Sequence, residues 1–155
     1  MYLSLKTAHL LSMVVLFGVG LGTAWYKWMA DRSGRVAHIA ATNRHVVLAD
    51  WLFTTPTIFI QPLTGFALLW LVGIPWTEAW VLGSLVLYLL AGACWLPVVW
   101  LQMRMRELSG EAVRCASALP PQYWRYARTW FWLGVPAFSA MMAIVVLMVF
   151  KPVWR

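Results

Sequence analysis

The chain has 155 residues, of which 63% are hydrophobic and 11% are charged, with a formal net charge of +7. Soluble domains carry about 25% charged residues, so this composition and the mean hydropathy of +0.74 exclude an ordinary soluble domain. The basic residues form no stripe with base-reading chemistry, which argues against a nucleic-acid partner. We predict an all-α polytopic protein whose partner is the lipid bilayer, with one membrane domain over residues 1–155.

Four apolar segments, each long enough to cross a bilayer, predict a bundle of four transmembrane helices. Their expected bounds are near Leu3–Trp28, His45–Gly73, Ala79–Met103 and Arg128–Phe150. Residues that favour turns separate these segments at Asp31–Gly34, Gly73–Pro75 and Leu119–Pro121.

The distribution of Lys and Arg predicts the orientation. Nine lie in the first and third interhelical loops, and three lie on the opposite side. The nine are Lys27, Arg32, Arg35, Arg44, Arg104, Arg106, Arg114, Arg125 and Arg128, and the three are Lys6, Lys151 and Arg155. Positive charge marks cytoplasmic loops, so we expect a multi-pass protein of the bacterial inner membrane with both termini outside. A cleaved signal peptide is the alternative for the first segment.

Polar side chains within membrane spans are functional candidates, because lipid does not solvate them. At 1.5 Å per residue, His9 lies roughly 9 Å from the membrane centre on the outer side. Gln61, Thr64 and Gly65 have the same depth on the second helix. His9 is therefore either a metal ligand or a histidine that joins helices by a hydrogen bond to Thr64, Gln61 or Tyr88.

His45 lies roughly 20 Å from the centre on the cytoplasmic side. Two axial ligands of one haem lie within about 4 Å of each other, given metal–nitrogen bonds near 2 Å. His9 and His45 therefore cannot hold the same haem. His45 is either an interfacial structural residue or a ligand of something else.

Methionines offer a second kind of metal ligand. Met13 follows His9 by four residues on the same helix face, and thioethers favour Cu(I). A haem would instead need its second ligand from another helix, with Met141, Met142 and Met148 in range.

Gly18 and Gly22 form a small-xxx-small pair in the first helix. Such pairs allow close approach of helices. The alternative is clearance for a flat macrocycle against the backbone.

Asp50 is a carboxylate about 14 Å from the membrane centre. It requires a partner, and Lys27, Arg44 and Arg128 are within reach. A structural ion pair and a proton relay are both open. Further along the same helix, Pro56 and Pro62 each leave a backbone carbonyl without its helical donor.

Several segments resemble a known family over nearly the whole chain. They are LKTAHLLS, VVLADWLFTTPTIFIQPLTG, AGACWLPVVWLQMRMREL and LPPQYWR to FKPVWR. The chain resembles a bacterial family of predicted integral membrane proteins, domain of unknown function 2269. The resemblance implies a membrane fold and no particular activity.

More distantly, the chain is similar to HemJ, a four-helix membrane protein linked to protoporphyrinogen oxidation, and to the CopD copper-resistance proteins. The shared features are Lys6-x-x-His9, Thr55-Pro56, Gly65 and Lys151-Pro152, and His45 falls where HemJ sequences tend to have methionine. The Tyr-His of HemJ helix three is replaced by Leu-Pro-Val-Val here. This departure from HemJ argues against the oxidase activity and leaves cofactor binding at His9 open.

The leading hypothesis is an inner-membrane protein that binds b-type haem or a porphyrin and has a redox or haem-metabolism role. The expected cofactor residues are His9, His45, Lys6, Gly18, Gly20, Gly22, Gly65, Gln61, Thr64 and Asp50, with Arg155 as a further propionate partner. Two alternatives remain. One is a copper-handling or small-solute transport protein that uses His9, Met13, Met141 and Met142. The other is an accessory subunit without a cofactor. Each of these three hypotheses is compatible with a homo-oligomer or with a membrane redox partner.

Overall fold

The computed structural model describes residues 1–152, which form helices joined by short turns and contain no strand. The elements are α1 (Tyr2–Ser33), α2 (Val36–Ala49), a π-helical turn (Asp50–Thr54), α3 (Thr55–Val72), α4 (Ala79–Arg114) and α5 (Pro121–Phe150). Because α2, the π-turn and α3 are continuous over 36–72, the chain makes four long helices. Each is long and apolar enough to cross a membrane, which confirms the predicted all-α membrane bundle.

The helices are longer than predicted at one end of the bundle. α1 and α4 end at Ser33 and Arg114 instead of Trp28 and Met103, and the second and fourth long helices begin at Val36 and Pro121 instead of His45 and Arg128. Hydropathy marks where a helix leaves lipid, but charged residues continue a helix without difficulty. The bundle therefore extends past its apolar zone at this end.

The turns form where small or rigid residues predicted them. Gly34 (φ 66°) and Gly73 (φ 75°) end α1 and α3 in the left-handed conformation, which glycine adopts without a steric penalty. Pro120 precedes the first residue of α5. The end that contains Gly34 and the 115–120 turn is called the loop end below, and the end with Tyr2 and Lys151 the terminal end.

The tightest packing lies at the loop end. α4 packs along α5, α1 packs along α3, and α2 packs on α4. The buried cluster of Ala30, Ile39, Leu101, Met105 and Tyr123 holds these elements together, and none of its members is more than 4% exposed. Most of the apolar surface elsewhere faces outward, as expected for helices in contact with lipid.

Candidate functional site

A cavity of about 530 Å³ opens between α1, α3, α4 and α5 in the terminal half of the bundle. It is called the His9 cavity. Its walls are mainly apolar, and His9, Gln61 and Tyr88 contribute polar groups. Lys6 and Lys151 line its terminal end. The cavity therefore combines an apolar interior with positive charge at one end.

The imidazole of His9 is held by α3. Its Nδ1 lies 2.7 Å from Thr64 Oγ1, and the Thr64 hydroxyl donates its own proton to the Ile60 carbonyl at 2.6 Å. Thr64 Oγ1 is therefore the acceptor and His9 Nδ1–H the donor. In the neutral ring this leaves the Nε2 lone pair free to bind a ligand.

Gly65 adjoins the same ring. A Cβ placed on Gly65 would lie 3.5 Å from His9 Cε1, an ordinary van der Waals contact, so α3 packs closely against the imidazole at this position. Met13 and Met141 also line the His9 cavity. Of the residues proposed from the sequence, the structure thus brings together Lys6, His9, Met13, Gln61, Thr64, Gly65 and Met141.

Other proposed residues lie elsewhere. A Cβ at Gly18 or Gly22 would meet no atom of another described helix within 4 Å, and neither glycine lines one of the two cavities. His45 is exposed, whereas its neighbours Val46 and Val47 are buried. Met142 is 45% exposed. Depth along a helix does not specify which face of the helix a residue occupies.

A second cavity of about 390 Å³ lies closer to the loop end and is called the Asp50 cavity. Asp50 is the first residue of the π-turn and is 7% exposed. The predicted ion pair is wrong. Within residues 1–152 no Lys, Arg or His nitrogen lies within 4.0 Å of its carboxylate, and Lys27 pairs with Asp31 instead. π-turns occur frequently at functional sites.

Buried polar atoms without partners concentrate around the Asp50 cavity. Asp50 Oδ2, Thr54 Oγ1, Trp95 Nε1 and Trp130 Nε1 are buried and have no hydrogen-bond partner among the described residues. All four side chains line the cavity, as does the buried Gln102. Native proteins leave few such groups unsatisfied, so this cluster is a candidate binding site. Of these residues, only Asp50 was predicted from the sequence as a site residue.

The two cavities share a wall formed by Phe17, Tyr88 and Met141. Pro62 has no N–H, so the Ile58 carbonyl one turn earlier lacks its helical donor. The Tyr88 hydroxyl of α4 donates to that carbonyl. This contact gives the Ile58 carbonyl a hydrogen-bond donor and holds α3 against α4 at the shared wall.

The model of a family described as predicted integral membrane proteins (DUF2269) matches residues 3–152. The chain belongs to this family. Membership in DUF2269 confirms the family resemblance seen in the sequence and agrees with the four apolar helices. No curated protein and no solved structure matches the chain. The similarity of this DUF2269 protein to HemJ and CopD stays a prediction.

At the loop end, a buried polar network joins all four long helices of the DUF2269 protein. Lys27 Nζ lies 2.9 Å from Asp31 Oδ2 and donates to the Tyr123 hydroxyl at 3.0 Å. The hydroxyl donates to Asp31 Oδ1 at 2.6 Å. Asn43 Nδ2 donates to the Tyr123 hydroxyl at 3.1 Å and to Ser109 Oγ at 3.0 Å.

This network was not predicted from the sequence, in which Lys27 was interpreted as a topology signal and Asp31 as part of a turn. The four-residue spacing of the two is the signal that predicts a pair on one helix face. The contribution of Tyr123 and Asn43 depends on how separate helices pack.

No group of three or more His, Cys, Asp or Glu side chains within residues 1–152 is arranged to hold a metal ion. Of the two cavities, the His9 cavity is the one whose described lining contains a histidine together with methionines.

Proposed function

We propose that the His9 cavity binds b-type haem or a related porphyrin in an inner-membrane protein with a redox or haem-metabolism role. The observation that supports this is the orientation of His9, whose Nδ1–H is engaged by Thr64. Metal-binding histidines typically donate their second ring N–H to a fixed acceptor, which orients the ring. The cavity volume of about 530 Å³ also falls in the range of small-molecule and cofactor sites.

Each part of the cavity has a role in this proposal. His9 would hold the group through its free ring nitrogen, Thr64 orients that ring, and Gly65 packs beside it. Lys6 and Lys151 at the terminal end match the acidic propionates of a haem or porphyrin. Arg155, proposed from the sequence for the same task, lies outside the described residues. A bound haem would supply one-electron redox chemistry.

The methionines that line the cavity lie on two helices. Met141 and Met148 are on α5, whereas Met13 is on the same helix as His9. Met141 and Met148 would therefore be the methionines that hold a haem together with His9.

Copper handling is the second candidate function. His9, Met13 and Met141 all line one cavity, and an imidazole with thioethers is a donor set that suits Cu(I). The copper proposal needs Met13, whereas the haem proposal does not.

The test is the absorption spectrum of the full chain purified in mild detergent, oxidised and then reduced with dithionite. We expect a Soret band that shifts on reduction, is lost in His9→Ala and is retained in His45→Ala. His45 is the matched control because it is exposed and lines neither cavity.

A featureless spectrum from protein expressed with ample haem would contradict haem binding. Bound copper by elemental analysis, lost in Met13→Leu, would then support the copper proposal. An accessory subunit would show neither cofactor, would co-purify with partner proteins, and would leave His9→Gln folded.

A further inference from the structure

Asp50 presents a buried carboxylate without a countercharge. Its side chain lies in the membrane-crossing part of the chain and is 7% exposed, and no cationic nitrogen of residues 1–152 approaches within 4.0 Å. An ionised carboxylate in such surroundings is unfavourable unless a cation accompanies it. Lys27, which is also buried, is paired with Asp31 at 2.9 Å. Within residues 1–152 the ionised form of Asp50 therefore has no countercharge, and a bound cation would supply one.

The walls of the Asp50 cavity suit an organic cation rather than a hydrated metal ion. Trp95, Trp130, Phe17 and Tyr88 all line it. The faces of aromatic rings attract cations, and aromatic cages are the usual receptors for organic ammonium groups. The volume of about 390 Å³ is in the range of small-molecule sites.

The unpartnered polar atoms add specificity. Thr54 and Gln102 lie within reach of the carboxylate, whereas Trp95 Nε1 and Trp130 Nε1 have no hydrogen-bond partner among the described residues. Indole N–H groups donate only, so they need an acceptor such as a carbonyl or ether oxygen. The complementary ligand has a positive end, an apolar body and an oxygen acceptor.

We propose that the Asp50 cavity is a binding site for hydrophobic organic ammonium ions, with Asp50 as their counter-ion. The site is separate from the proposed cofactor site. Although the cavities share a wall, His9 and Lys6 do not line the Asp50 cavity, and Asp50 does not line the His9 cavity.

The experiment compares two probes of nearly the same shape on the full chain in mild detergent. Benzoylcholine carries a quaternary ammonium, a phenyl ring and an ester, and 3,3-dimethylbutyl benzoate replaces the charged nitrogen by carbon. Binding is measured by equilibrium dialysis with protein-free micelles as the reference. We expect the ammonium compound to bind about tenfold more tightly or better, about 1.4 kcal/mol, because only the charged nitrogen is attracted by the Asp50 carboxylate.

Variants assign the preference to Asp50. Asp50→Asn keeps the shape of the side chain and removes its charge, so it should abolish the preference for the ammonium probe. Glu107→Gln is the matched control because it neutralises an exposed carboxylate on α4, and it should retain the preference. His9→Ala should also retain it, which separates this proposal from cofactor binding.

Equal affinity for the two probes in the unmodified protein would overturn the proposal, as would a preference that persists in folded Asp50→Asn. If thermal melts show that Asp50→Asn is unfolded, the Trp95→Leu variant tests the proposal instead. Loss of an aromatic wall should weaken binding of the ammonium probe several-fold, and unchanged affinity in this variant would refute the site.

Discussion

Replacing Asp31 by alanine is expected to lower the free energy of unfolding by about 3–5 kcal/mol, the usual effect of removing one partner from a buried ion pair. Lys27 is 1% exposed, and its ammonium lies 2.9 Å from Asp31 Oδ2. Without Asp31, that charge stays buried with only the neutral Tyr123 hydroxyl and aromatic rings beside it. Equilibrium unfolding in mixed micelles with sodium dodecyl sulfate, followed by circular dichroism, measures the change.

The matched control for Asp31→Ala is Glu107→Ala. Glu107 also forms a pair within one helix, with Arg104 at 2.6 Å, but both side chains are about half exposed. Exposed pairs contribute about 0.2–1 kcal/mol, so this variant should stay close to the unmodified protein. Adding Lys27→Met to Asp31→Ala should recover most of the loss, because no buried charge then remains. Equal losses in Asp31→Ala and Glu107→Ala would show that the buried pair has no special role.

Tyr123→Phe tests the same network from α5. The ring is fully buried and is retained in phenylalanine, so packing is preserved. The missing hydroxyl accepts from Lys27 and Asn43 and donates to Asp31. A buried group left unsatisfied costs about 1–3 kcal/mol and more if it is charged, and we expect a loss of about 3 kcal/mol in the same unfolding measurement.

Tyr126→Phe is the control for this substitution. Tyr126 lies one helical turn further along α5, and its hydroxyl makes an exposed hydrogen bond with Gln122 at 2.6 Å. Surface substitutions usually change stability by less than about 0.5 kcal/mol. A Tyr126→Phe loss as large as that of Tyr123→Phe would contradict the assignment of the network as the main polar connection between the helices.

Asp31→Ala and Tyr123→Phe change residues at the loop end, whereas both cavities lie in the apolar part of the bundle. The network and the buried cluster around Met105 hold the loop ends of the helices together. Farther from the loop end, the two cavities lie between the helices. The structure therefore combines a tightly packed loop end with two cavities in the apolar part of the bundle.

Local properties of the sequence were sufficient for the spans and turns. Hydropathy identifies each apolar helix because segments that cross lipid are composed mainly of apolar residues. Gly34 and Gly73 end helices because glycine adopts positive φ angles without a steric penalty. The rise per residue was enough to place His9 at the depth of Thr64, and the two form a hydrogen bond. These predictions succeed because each depends on neighbours along one helix, or on distance along the membrane normal.

Rotation of each helix and its extension beyond the lipid were decided only in the tertiary structure. Met141 lines a cavity and the adjacent Met142 is exposed, because successive residues point about 100° apart around a helix. Asp50 lies beside unpartnered indoles instead of a cation, and Lys27 meets Tyr123 from a helix 96 positions later. Such contacts depend on how four separately formed helices pack against one another, which no local pattern in the chain specifies.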